Sequence, residues 1–389
     1  MAPRVSREVR QMAQPLKDIL VLDFSTLLPG PMATLMLSEA GAEVVKFERP
    51  GTGEDARHTD PMIDGESIGF AVLNQGKRSV ALDLKAENAV NILRPLLEKA
   101  DVLVEQFRPG VMGRLGLGYE AVRAINPGIV YCSITGYGQT GPKATAAGHD
   151  LNYVGDAGVL SLSRGPEAHP TMPFGLIADI GGGTYPAVVN ILLALIARQK
   201  TGKGAHLDIA MAEGAFAFAY WAHAEGVIAG QDIENGGGRL TGGLARYRLY
   251  SAADGRQIAV GALEEKFWQA FCDVIDQPAD LRDDWSDPEG CSAEVARRLG
   301  SQPSTHWEPL LVAADCCCSV VKTPAEAATD PHFSARGVFD RKLDISGKSV
   351  PALPLPIAPE FRVSKDVAGR AASLGEDNLH YGAEPRDSE

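Results

Sequence analysis

Residues 18–48 read DILVLDFSTLLPGPMATLMLSEAGAEVVKFE, and their periodicity decides the fold class. Asp18–Phe24 is an apolar, branched run, Pro31–Ala40 after Pro29-Gly30 is a helical stretch, and Glu43–Glu48 is a second apolar run. Strand, crossover helix and strand in so short a span make a βαβ unit, which builds a parallel sheet. The pattern repeats: Ser79–Leu84, Asp101–Phe107 and Ile129–Thr135 are further strand candidates, and Glu87–Lys99 carries Val90, Ile92, Leu93, Leu96 and Leu97 at helical spacing. The fold class is therefore α/β with a parallel sheet. Ligands are expected outside the carboxyl ends of its strands.

Further along, Gly183–Arg198 reads as a helix, His206–Ile209 as a short strand and Ala210–Gly226 as another helix. Composition then changes. Residues 234–243, ENGGGRLTGG, form a glycine-rich hinge, and Arg246–Tyr250 and Gln257–Val260 flank the turn Ala253-Asp254-Gly255 as a hairpin. A smaller α+β unit follows to about Pro324, and the tail from Pro351 is proline-bearing and polar. A chain of 389 residues holds two or three domains at about 150 residues each. The expected division is 1–215 as the first part of a large domain, 216–245 as linker, 246–325 as small domain, and 326–389 as return linker and last part of the large domain.

Lys plus Arg number 37 against 50 Asp plus Glu, a net charge of −13, which argues against a general grip on nucleic acid or an anionic membrane. An anionic ligand must then be held by a local basic cluster. The six cysteines do not form a disulfide framework, since Cys316, Cys317 and Cys318 are consecutive and Cys132, Cys272 and Cys291 stand far apart. A reducing cytoplasm fits them, and no zinc spacing is present, so burial in a strand is expected for the triplet and no metal is expected. Ala187–Ala197, interrupted by Asn190, covers about half the length that spans a bilayer and reads as a buried helix. Arg4, Arg7 and Arg10 precede no apolar region, so no secretory signal is expected. The 42 glycines exceed the usual share of roughly 7%, and their clustering points to close backbone approach.

Gly136-Tyr137-Gly138-Gln139-Thr140-Gly141 matches G-x-G-x-x-G, but it follows the fifth strand and Pro142 to Gly148 opens no helix, so a dinucleotide site is disfavoured. Asp179-Ile180-Gly181-Gly182-Gly183 puts a carboxylate ahead of the best helix. Asp179 either caps that helix or serves as an acid, base or nucleophile, with the glycines admitting a ligand or partner backbone. Gly148-His149-Asp150-Leu151-Asn152-Tyr153 sets an imidazole beside a carboxylate in a loop; His149 is a solvated loop residue or a base near neutral pH. Arg49, Lys77, Arg78, Arg108 and Arg114 each lie near a strand end, a recurrence that fits a phosphate-rich ligand.

On these residues the chain resembles the family III CoA-transferase superfamily of CaiB/BaiF type, and within it the α-methylacyl-CoA racemases. The resemblance runs from about Leu16 to Pro354. Its marks are Leu28-Pro29-Gly30-Pro31, Gly41-Ala42-Glu43-Val44-Val45-Lys46, Glu48-Arg49-Pro50, Lys77-Arg78-Ser79 and Arg108-Pro109-Gly110-Val111, with the three motifs above, Thr201-Gly202-Lys203-Gly204 and Gly261-Ala262-Leu263-Glu264. It implies an interlocked homodimer with a Rossmann-like CoA-binding large domain and a smaller α+β domain. The active site is then shared between the large domain of one subunit and the small domain of the other. CoA is part of the substrate, and no separate cofactor is implied. The residues that match CoA contacts are Arg49, the strand end Ala81-Leu82-Asp83-Leu84, Arg108 and Arg114, with the acyl thioester by Gly148, Leu151, Asn152 and Tyr153.

Racemases pair a histidine with the aspartate, whereas transferases use the aspartate as nucleophile and generally lack that histidine. The resemblance thus implies that His149 serves one face of the α-carbon and Asp179 the other, with the Asp150 backbone N–H on the thioester oxygen and Glu264 of a second copy orienting His149. CoA transfer through an anhydride at Asp179 is the alternative, and a CoA-binding dimer without catalysis a third reading. Glu265 stands where racemases commonly carry proline, Leu240-Thr241-Gly242-Gly243-Leu244 differs from the commoner Leu-Asp-Gly-Gly-Ala, and the usual C-terminal helix has no counterpart after Asp377. These departures bear on substrate identity.

Overall fold

The computed structural model describes residues 14–383 except 166, 168, 232 and 364–367. Arg4, Arg7 and Arg10 lie outside that range, as do the polar residues after 383. The chain forms two compact units, one from the described residues of Met1–Tyr153, Leu176–Ala215 and Pro331–Glu389, the other from Val154–Gly175 and Phe216–Asp330. Three segments depart from the expected division, the shortest being 326–330, which belongs to the second unit. Val154–Gly175 joins the second unit, and so does the stretch expected as a linker from residue 216. Arg164 explains this, donating through Nη1 to the carbonyls of Gly236 and Gly242 at 3.1 and 3.0 Å, while Asn235 donates to the carbonyls of Ser161 and Ser163.

The first unit is built on six parallel strands: β1 Leu20–Phe24, β2 Glu43–Glu48, β3 Arg78–Ala81, β4 Val102–Glu105, β5 Val130–Thr135 and β6 Ala205–Ala210. Their order across the sheet is β3-β2-β1-β4-β5-β6. The order reverses between β1 and β4, the place where a doubly wound sheet opens a crevice. Near-continuous burial of β2, β4 and β5 accounts for their unbroken apolar runs, as a sheet covered on both faces requires. The helices that serve the site are α1 Pro29–Glu39, α2 Ala89–Leu97, α3 Asp150–Asp156, α4 Tyr185–Thr201 and α5 Met211–Ala215.

β3 stops at Ala81, opposite the last residue of β2, Glu48, although the apolar run continues to Leu84, and residues far along the chain satisfy its outer edge. The backbone N–H groups of Ser79 and Ala81 donate to the side chains of Asp377 and Asn378 at 2.9 and 2.8 Å, and Asn378 donates back to the Ala81 carbonyl at 3.3 Å. An exposed edge strand is thereby blunted.

A charged cluster sits beneath the crevice. Asp23 of β1 accepts from Lys77 at 3.1 Å, Thr34 at 2.6 Å and Ser25, and Lys46 of β2 donates to the Ser25 carbonyl at 2.8 Å and faces Glu54 at 3.0 Å. All four charged side chains are buried. Burial opposes ionisation of Asp23, but Lys77, Lys46 and the two hydroxyls outweigh it and hold the carboxyl below its usual range. Burial pushes the Lys77 ammonium down to about 8.

A π-helical stretch, Ile177–Thr184, runs directly into α4. Ile177–Thr201 is long and apolar enough, by length and composition, to cross a membrane. The helix is not buried all round as the sequence suggested: Ala187, Val188, Ile191 and Leu195 face inward, whereas Tyr185, Val189, Leu192, Leu193 and Ile196 are exposed. The expected helix Ala210–Gly226 is also broken, into α5, a 3-10 turn Phe216–Ala219, a helical turn Tyr220–Ala222 and a π turn His223–Ile228. Phe216, Phe218 and Tyr220 recur every second residue, a period that gives a helix no single apolar face.

In the second unit β7 Tyr247–Ser251, β8 Gln257–Gly261 and β9 Cys318–Val320 form an antiparallel sheet in the order β9-β8-β7. Helices α6 Glu265–Val274, α7 Pro288–Leu299 and α8 Ser304–Ala314 contribute Trp268, Phe271, Leu299 and Trp307 to its core. The hairpin strand begins at Tyr247, not Arg246, whose side chain is buried in an ion pair. Of the cysteine triplet, Cys316 is buried, Cys318 begins β9 and Cys317 is exposed.

Candidate active site

Three loops leave the carboxyl ends of β1, β4 and β5 and enclose a cavity of about 540 Å³. Its wall includes Thr26 to Pro29, Gln106 to Pro109, Gly136, Gly148, His149, Asn152, Tyr153 and Asp179. His149 and Asp179, 30 residues apart in sequence, therefore face one space, as the motif reading required of an acid/base pair.

The backbone explains how each is held. The His149 carbonyl accepts from Asn152 and Tyr153 N–H at 2.8 and 3.2 Å, and its own N–H donates to Asn152 Oδ1 at 3.0 Å, so the first turn of α3 is clamped while the imidazole stays exposed. Asn152 is thus committed to the backbone. Asp150 is buried, and its Oδ1 accepts from the N–H groups of Ala178 and Asp179 at 2.7 and 2.9 Å. One carboxylate consequently fixes the backbone that carries the other. Burial first, then the Asp150 charge, raise the Asp179 carboxyl to about 6, against a smaller opposing effect of His149.

The glycines have uses that the motif reading missed. A Cβ at Gly136 or Gly148 would lie 2.5 or 2.7 Å from the Tyr153 ring, whose hydroxyl donates to the Gly148 carbonyl at 2.5 Å. The first glycine of the dinucleotide-like motif makes room for a tyrosine. Gly182, expected to admit a ligand or partner, instead admits α5: a Cβ there would lie 2.2 Å from the Met211 carbonyl oxygen. Asp179 does not cap its helix either, since the cap position is Leu176 and Asp179 lies in the first turn.

A second cavity of about 650 Å³ lies at the ends of β1, β2 and β3 and shares Thr26 and Phe107 with the first. Arg49, Leu82, Asp83 and Leu84 line it, beside the stacked rings of Phe24 and Phe47. Arg108 lines the first cavity and is exposed, and its guanidinium makes no hydrogen bond or ion pair with another described residue. Arg49 is exposed and paired with Asp55.

Several of the expected contact residues are engaged elsewhere or lie off both cavities. Lys77 is spent on Asp23, Asn74 and the Pro31 carbonyl inside the core, and the Ala81 backbone on Asn378. Arg114 and Leu151 line neither cavity. Glu264 belongs to the second unit, at the N-terminus of α6, where its exposed side chain makes no capping bond. Conversely, sequence reasoning passed over Gln106, which accepts from Gly30 N–H at 3.0 Å, and Leu27, a non-glycine residue at φ +63° on the cavity wall. The rule that ligands bind where strand order reverses could have marked both loops.

The chain matches CoA-transferase family III over residues 16–378. It is 33% identical over 353 residues to the acetyl-CoA:oxalate CoA-transferase of Acetobacter aceti, covering 88% of this chain and 89% of the relative. It is likewise 33% identical over 356 residues to the human alpha-methylacyl-CoA racemase, covering 89% of each. Among solved structures, a CAIB/BAIF family protein from Brucella suis superimposes with a TM-score of 0.79 at 29% identity, over 96% of this chain and 99% of that one.

Proposed function

The chain belongs to CoA-transferase family III, and from that premise we propose that it is an acyl-CoA racemase, inverting the α-carbon of 2-methyl-branched acyl-CoA thioesters. The carrying observation is that His149 and Asp179 face one cavity, with the Asp179 carboxyl raised to about 6. A carboxyl in that range gives up and takes a proton near neutral pH, which suits an acid/base partner.

In this reading His149 or Asp179 removes the α-proton from one face, the electron pair passes to the thioester oxygen as an enolate, and the other residue delivers a proton to the opposite face. The pair holds one proton at the start and one at the end. The Asp150 N–H, in the first turn of α3 where amides lack an intrahelical acceptor, donates to the enolate oxygen. Glu264 of a second copy orients His149. The CoA moiety lies along the second cavity by Arg49 and Leu82 to Leu84, with Arg108 where the two cavities meet. The assembly is a cytoplasmic homodimer, and the exposed stripe of α4 is covered by the second copy.

CoA transfer between an acyl-CoA and a carboxylic acid is the second reading, with Asp179 as nucleophile. The equal identity to a transferase of Acetobacter aceti favours it. Incubation of a 2-methylacyl-CoA in deuterated water separates the two. Deuterium entering the α-carbon without an acceptor acid is the expected result. Its absence, with new thioester formed once an acid is added, overturns the racemase in favour of the transferase.

A further inference from the structure

Arg246 stands immediately before β7 and is buried. Its Nε and Nη2 donate to Asp284, itself fully buried, at 2.9 and 2.7 Å, and its backbone N–H donates to the same carboxylate at 3.1 Å. The remaining nitrogen, Nη1, turns to the turn before α6. It donates to the Leu263 carbonyl at 3.3 Å and to Glu265 Oε2 at 3.0 Å, the two residues that flank Glu264. The guanidinium also lies 5.2 Å from the ring centroid of Trp268 in the core.

Glu264 has a fixed backbone and a free head. Its carbonyl accepts from Phe267 and Trp268 N–H, both at 3.0 Å, its φ and ψ are −78° and 142°, and its carboxylate caps nothing. The Cys317 thiol is near enough to feel that carboxylate: burial first, then the Glu264 charge, push it up. A buried ion pair such as Arg246–Asp284 is a poor device for stability, because desolvation offsets its attraction, but a planar fork anchored on one side grips whatever meets its other edge.

We propose that Arg246 is a positioning residue for Glu264: anchored by Asp284, it grips the Leu263 carbonyl and the Glu265 carboxylate on either side and so sets the direction in which the Glu264 carboxylate is presented. This rests on the reading that Glu264 serves His149 of a second copy. Lysine cannot replace the arginine, because an ammonium lacks the fork that spans Asp284 and the turn together.

The test measures kcat and KM for α-deuterium incorporation in Glu264→Gln, Glu265→Gln and Arg246→Lys, and in Glu264→Gln combined with each of the others. Glu265 is mostly exposed, so Glu265→Gln keeps the fold, checked by its melting temperature, and serves even where Arg246→Lys does not. The expected result is a kcat lower by about 10- to 100-fold in each single variant with KM unchanged, no further loss in the double variants, and partial rescue by Glu265→Asp. Loss in Glu264→Gln with none in Glu265→Gln, or with a further multiplicative loss in the doubles, overturns the positioning role alone. Full activity in Glu264→Gln overturns the assignment of Glu264 itself, and the proposal with it.

Discussion

The raised carboxyl of Asp179 costs the folded chain stability above its titration range. Its carboxyl is held at about 6 in the folded chain against 3.8 for a free one, so the folded state binds the proton more tightly than the unfolded state does. The protein therefore loses stability from this group as pH rises from about 4 to about 6, and the loss is complete above that. Asp179→Asn is expected to melt higher than the parent at pH 8 and equally at pH 4, while abolishing α-proton exchange; a variant that melts lower at pH 8 contradicts this. His149→Ala is expected to abolish exchange with no such gain, and exchange surviving in it removes His149 from the mechanism. The sequence singled out both residues as candidates, but not what raises the carboxyl: burial comes from tertiary packing, and the lesser effect of Asp150 acts through space, 29 positions away. Lys77 shows the reverse failure. Read as a ligand contact from its place near a strand end, it is the buried partner of Asp23, and only tertiary packing could tell the two apart. Lys77→Met is expected to cost about 3–5 kcal/mol in chemical denaturation, as removal of one partner of a buried pair does, and to leave CoA affinity per folded molecule unchanged.

At the scale of elements, the π-helical stretch that carries Asp179 is pressed against α5 by two glycines on opposite sides of one contact. A Cβ at Gly214 would lie 2.4 Å from the Cα of Gly182, and one at Gly182 would strike the Met211 carbonyl. Rigid backbone gives way on neither side, so Gly182→Ala is expected to lower stability by about 1–3 kcal/mol or more and to reduce exchange by displacing Asp179. Calorimetry with the exchange assay checks both, and a neutral substitution refutes the contact. The parallel strands were readable to within a few residues because burial on both faces leaves an unbroken apolar run. Their ends were not, because partners from elsewhere decide them: Asp101 takes the Leu20 N–H that opens β1, and β3 ends opposite the last residue of β2. The segment around 216–228 misled for another reason. Its apolar content suits a helix and its period does not.

At the scale of the whole molecule, the outward stripe of α4 is the largest departure from a sequence reading that treated the helix as core. Tyr185, Val189, Leu192, Leu193 and Ile196 recur along one face, and inward and outward apolar faces look alike in a sequence. Val189→Asp with Leu193→Asp is expected to yield a monomer by light scattering with exchange lost, if a second copy covers this face; a dimer that persists places the interface elsewhere. Fold class and family were legible across most of the chain, whereas the role of Glu264 rests on an assembly that one chain cannot express. The closing of β3 by Asp377 and Asn378 carries a consequence in time. The first five strands are synthesised early, but the residues that seal the outer edge follow about 300 positions later, which at about 5–20 residues per second leaves that edge open on the ribosome for about 15–60 s. Arg78 at the head of so short a strand is the charge that guards it meanwhile.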